Sequence, residues 1–174
     1  MKTMKKILSL ALAGVMALAL LTGCGTGGSA SHKSIAKAMA DYENGIDRKT
    51  TITYTSSAVL DAKLQEQAKK PGFEDVVKAV YNGQTPTILT GVVVPNDMVV
   101  YLYCGKYDKD AGKQAINLNA RAPVCANTYS GTAPSLADER QIGLITTSFT
   151  DATTGEKVKV RFAVVVSDKP TPTP

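Results

Sequence analysis

Apolar residues recur along the first half of the chain at helical spacing and along the second half at strand spacing. Ile35, Ala38, Met39, Tyr42 and Ile46 fall at i, i+3, i+4, i+7 and i+11, which predicts one amphipathic helix with Ser31 or Ser34 as its cap and Asn44-Gly45 as its stop. Thr51 to Thr55 alternates with period two and is rich in β-branched residues, the pattern of a strand. Ser56-Ser57 then caps a second helix carrying Leu60, Leu64 and Ala68, with Glu66 and Lys70 spaced as an i,i+4 pair. Pro71-Gly72 breaks it, and Phe73, Val76, Val77, Val80 and Tyr81 mark the apolar face of a third helix that ends at Asn82-Gly83.

From Thr87 onward the pattern predicts strands. Thr87–Val94 and Met98–Cys104 flank the turn signal Pro95-Asn96-Asp97, a hairpin. Gln114 to Ala120 reads as a further β segment, because Ile116 and Leu118 alternate with Asn117 and Asn119. Residues 121–140 are irregular. Ile142–Thr150 and Lys157–Val166 flank a five-residue loop, 151–155, that ends in Gly155, where a G1 bulge wants glycine. Helices first and antiparallel strands later predict an α+β fold, with N-terminal helices packed on one face of a mainly antiparallel sheet. The tail from Lys169 to Pro174 alternates proline and threonine and is expected to be extended and disordered.

The first residues carry a different pattern. Lys2, Lys5 and Lys6 precede an uncharged run from Ile7 to Leu21, followed by Thr22, Gly23 and Cys24. A basic start, a short apolar stretch and a small-residue cleavage site describe a secretory signal. Fifteen helical residues reach only about 22 Å, short of a bilayer's ~30 Å hydrocarbon core. Leu21-Thr22-Gly23-Cys24 resembles the lipobox of bacterial lipoproteins. The resemblance covers residues 1–24 and implies cleavage before Cys24, whose thiol takes a diacylglyceryl group. Two acyl chains anchor a protein stably where one is marginal. The resemblance thus implies a protein held on the outer face of a bacterial cell membrane, or in its envelope. Residues 1–23 are read as signal peptide, 24–31 as a small, polar tether, 32–167 as one domain and 168–174 as tail.

Composition narrows the function classes. The whole chain has a formal charge of +5, but residues 24–174 hold 17 lysines and arginines against 15 acids, a net of +2. That small charge gives no electrostatic footprint for nucleic acid or a polybasic membrane patch. Tryptophan is absent, which weakens a sugar-stacking reading. No Gly-rich phosphate loop, zinc spacing or other cofactor motif is present in the sequence. Cys104 and Cys125 form an even pair in an exported chain, so a disulfide is expected; it would close a loop of about 22 residues and contribute about 3 kcal/mol.

Catalytic constellations are weak. His32 is the sole histidine and stands beside the tether, a poor position for a general base. Cys104, at the end of an apolar strand, resembles the nucleophile of sortases, and Arg121 or Arg140 stands for the arginine of that family, but no histidine is available as its base. Asp108, Asp110 and Gly112 resemble part of a calcium loop that lacks its closing glutamate. Glu74-Asp75 and Asp138-Glu139 are adjacent pairs whose side chains diverge in regular structure.

Two surface features remain. Lys157, Lys159 and Arg161 alternate with Val158, Val160 and Phe162, placing three cations on one face of a strand. Tyr101 and Tyr103 share a face of another strand. These five residues are the candidate binding surface. The expected function is a lipid-anchored, non-catalytic binding module, its partner an envelope protein or wall polymer, with no metal and no cofactor. The alternative is an envelope enzyme or thiol protein that uses Cys104 or Cys125.

Overall fold

The computed structural model describes residues 29–46, 50–86, 97–126 and 133–169. The lipobox with Cys24, the first strand of the predicted Thr87–Val94 hairpin and the end of the Pro/Thr tail lie outside them. Helix α1 (His32–Asn44) leads into strand β1 (Thr53–Ser56), helices α2 (Ala58–Gln67) and α3 (Phe73–Tyr81), strand β2 (Met98–Lys106), helix α4 (Ala111–Leu118) and strands β3 (Val124–Cys125), β4 (Glu139–Thr150) and β5 (Lys157–Asp168). The fold is α+β, as the sequence pattern predicts.

Local chemistry sets the helix starts. The Ser31 hydroxyl accepts the Ser34 N–H at 3.1 Å and opens α1. Ser57 does the same for Leu60 in α2, and the Asp110 carboxylate accepts the Lys113 N–H at 2.8 Å to open α4. Each satisfies one of the N–H groups that a helix start leaves unpaired.

Segment 114–120 is a correction. It belongs mostly to α4 rather than to a strand. The alternation of Ile116 and Leu118 is not the packing pattern: Gln114, Ala115 and Leu118 are buried, whereas Ile116 is 54% exposed. Likewise the inner face of α1 is Ile35, Ala36, Met39 and Glu43, and Ile46 is 56% exposed. Lys70 falls beyond the end of α2, so its predicted helical pairing with Glu66 has no helix to hold it.

The sheet order is β1-β4-β5-β2-β3. β1 runs parallel to β4, and the other three pairings are antiparallel. β4 and β5 form the predicted hairpin, turned by Gly155 at φ 70°. The apolar stretch Phe162 to Val166 lies in β5 between two neighbours, and it is buried throughout.

Helices cover both faces of the sheet, not one. On the first face Val100, Leu102, Cys104, Phe149 and Phe162 meet Leu64 of α2 and Val77 and Val80 of α3. On the second Tyr103, Ile142, Leu144 and Val165 meet Ile35 and Met39 of α1 and Ala115 and Leu118 of α4. Two glycines let helices approach so closely. A Cβ on Gly143 would stand 2.4 Å from Leu60 Cβ and 2.8 Å from the Leu60 carbonyl carbon; one on Gly105 would stand 2.3 Å from the Asn117 carbonyl oxygen.

Candidate functional site

Both-face burial decides where the candidate residues go. Tyr103 lies in the second core, 4% exposed. Tyr101 is half-buried and donates to the Pro134 carbonyl at 2.9 Å. The tyrosine pair is therefore packing, and this half of the predicted surface is corrected. Burial raises the Tyr103 hydroxyl to about 12, with the Glu43 charge adding to it. Burial also raises Tyr101, with Cys125 beside it contributing.

Beneath Tyr103 runs a buried polar network. The Arg140 Nη1 donates to Glu43 Oε2 and to the Tyr54 hydroxyl, each at 2.8 Å, and Arg140 Nε donates to the Ala137 carbonyl at 2.8 Å. The Tyr54 hydroxyl donates to Glu43 Oε1. Burial opposes the charge of Arg140, but Tyr54 and Glu43 outweigh it and hold its pKa above the usual value. This network ties α1, β1 and β4 together, and it was not visible as a site in the sequence.

The expected disulfide is corrected as well. Neither Cys104 nor Cys125 joins one. Cys125 lies opposite Tyr101 in the β2–β3 register, three residues from Cys104 along β2. At ~3.4 Å per residue that offset alone is about 10 Å, beyond the ~7 Å limit for bridged Cα atoms. The odd offset also turns the two side chains to opposite faces of the sheet. Cys104 is 4% exposed among apolar residues, and burial pushes its thiol up to about 12. A thiol so held is a poor nucleophile.

The basic stripe keeps its place. Lys157 and Lys159 are exposed and Arg161 is buried at 3% exposure. Two residues absent from the sequence-based site complete it. Tyr107, just past β2, joins the sheet through its N–H to the Lys159 carbonyl at 3.0 Å. Its ring lies under both cations, 4.0 Å from Lys159 Nζ and 5.2 Å from Arg161 Cζ, within cation–π range. Its hydroxyl donates to Ser29 Oγ at 2.9 Å, and Arg161 Nη2 donates to the same oxygen at 3.4 Å. Folded contacts thus reach Ser29, inside the stretch read as tether, and the Ala30 N–H adds a bond to the Lys109 carbonyl at 2.8 Å. The acids on this side are spoken for: Asp61 takes His32 Nδ1 and the Leu144 N–H, each at 2.7 Å, while Asp108 and Asp110 cap backbone N–H groups at the start of α4.

A pocket of about 270 Å³ opens beside β2, lined by Tyr81, Cys104, Lys106, Asn117 and Arg121 among others. Arg121 stacks 5.7 Å above the Tyr81 ring. Among the described residues no group of three or more His, Cys, Asp or Glu side chains could hold a metal ion, and no helix is long and apolar enough to cross a membrane. Comparisons with protein-family models, curated proteins and solved structures found no match.

Proposed function

We propose that this chain is a lipid-anchored protein of the outer face of a bacterial cell membrane, and that it works as a non-catalytic binding module. The observation that carries the reading joins sequence to geometry. Ser29, five positions after Cys24, touches both Tyr107 and Arg161 of the basic stripe. Five residues from Cys24 to Ser29 span at most about 18 Å. The lipid and the stripe therefore stay within one short tether of each other, and Lys157, Lys159 and Arg161 are the binding surface. The raised, apolar Cys104 supports binding over thiol catalysis.

The intact mass of the protein from its native membrane tests the anchor. A chain that begins at Cys24 with a diacylglyceryl adduct is expected, and Cys24→Ala is expected to move the protein out of the membrane fraction. Retention of that variant in the membrane fraction would refute the anchor.

A further inference from the structure

Arg140 and Arg161 stand on the same face of neighbouring strands, and both are buried. Their surroundings differ. Arg140 has a carboxylate, a hydroxyl and a carbonyl. Arg161 has no carboxylate within ion-pair distance among the described residues. Its Nε is fully buried with no hydrogen-bond partner, and its Nη2 reaches Ser29 Oγ at the long distance of 3.4 Å. Asp61 is near enough to act on its charge but is held by His32 and Leu144. A buried cation whose nearest acid lies beyond ion-pair distance is poorly compensated.

Nε–H has no partner and Nη2 only its long one, and the edge they form has a definite shape. Nε–H and Nη2–H lie parallel along one edge of a guanidinium, the fork that takes two oxygens of a phosphate or carboxylate at once. Lys159 stands on the same side of the strand, 4.0 Å from the centroid of the Tyr107 ring, and adds a second cation. Ser29 is exposed and Tyr107 half-buried, so the approach to Arg161 is beside Ser29. With Tyr107 donating to its oxygen, the Ser29 hydroxyl proton is available to a further acceptor.

We propose that Arg161, Lys159 and the Tyr107–Ser29 hydroxyl pair form a binding site for a phosphate-class oxyanion. The proposal rests on the reading of the stripe as the binding surface and names its ligand chemistry. The oxyanion is a lipid headgroup phosphate or free phosphate, and the tether makes the headgroup reachable.

The test is the acylation rate of Lys159 in the lipidated protein, read by mass spectrometry. It is measured in nonionic detergent with chloride, in the same detergent with inorganic phosphate at matched ionic strength, and in phosphatidylglycerol vesicles. Lys169, beyond the other end of β5, is the internal control. Phosphate above its Kd is expected to slow Lys159 at least about threefold while Lys169 is unchanged. Arg161→Met should abolish the effect, and Tyr107→Phe should weaken it, which keeps the test open if the arginine variant fails to fold. Slowing by phosphate and by vesicles assigns the headgroup as a source; slowing by phosphate alone assigns the free anion. Equal rates in all three conditions, slowing in vesicles alone, or slowing that survives Arg161→Met in a folded protein would overturn the site. Failure of the anchor is read separately, from the membrane retention of Cys24→Ala.

Discussion

The Arg140 guanidinium meets the Glu43 carboxylate at 2.8 Å with both side chains less than a tenth exposed. The two residues lie 97 positions apart, on β4 and α1. Taking both charges out of water is made tolerable by Tyr54 and the Ala137 carbonyl, which supply further hydrogen bonds to the pair.

Breaking one side of that pair should therefore cost more than removing both. Glu43→Ala leaves Arg140 charged and buried, and a loss of about 3–5 kcal/mol is expected. Glu43→Leu with Arg140→Met should recover much of it, so the two changes will be strongly non-additive. Denaturant unfolding of the single and double variants measures this. Additive losses would mean that the pair does not act as a unit.

Local signals in the chain were enough for the elements whose chemistry is local. Ser31 and Ser57 stand directly before their helices, and the apolar stretch through Val164 marks a strand. Alternation misled at Ile116 and Leu118, where the helix signal was the Asp110 cap followed by Ala111, Ala115 and Leu118. The same pattern could not reveal that Tyr101 and Tyr103 face α1 and α4, because alternation shows that two residues share a face and not what covers it. Lys159 and Arg161 were legible as a stripe. Tyr107 and Ser29 were not, since the β2–β5 register and the packing of Ser29 against Tyr107 and Arg161 bring them there.

The two close helix approaches predict opposite outcomes for glycine replacements. Gly105→Ala and Gly143→Ala drive a methyl into the backbone of α4 and α2 respectively, and a cost of about 1–3 kcal/mol or more is expected. Gly112→Ala, on the exposed side of α4, meets only an Asp110 carboxylate oxygen, at the ordinary contact distance of 3.4 Å. It should be neutral or stabilise by up to about 1 kcal/mol through helix propensity. Shifts in the urea midpoint test all three.

Asp61 closes a strand edge. β1 stops pairing with β4 at Ile142, and the Leu144 N–H beyond it is taken by the Asp61 carboxylate; the Thr150 N–H is taken by Glu74 in the same way. Asp61→Ala leaves the Leu144 N–H without its partner and removes the His32 contact, and should cost about 1–3 kcal/mol. Hydrogen exchange is the sharper readout. The Leu144 amide should exchange faster in the variant, while amides in the β2–β5 ladder change only as much as global stability does.

The raised thiol of Cys104 makes stability fall at alkaline pH. Its pKa goes from an ordinary 9.0 to about 12 on folding, so between those values the unfolded chain releases a proton that the folded chain keeps. The unfolded state then binds fewer protons, and the unfolding free energy decreases as pH rises. The contribution is fully present below about pH 9 and is lost progressively toward about 12. Tyr103, raised from 10.0 to about 12, adds a loss of the same sign that begins near pH 10. Cys104→Ala removes the thiol's share and leaves that of Tyr103, so its urea midpoint should fall less steeply than the wild type between pH 8 and 11. The same burial predicts that in the folded protein at pH 8 an alkylating reagent modifies Cys125 before Cys104, with no reducing agent needed. Parallel pH profiles, or alkylation that requires reduction, would contradict the placement of the two thiols on opposite faces of β2 and β3.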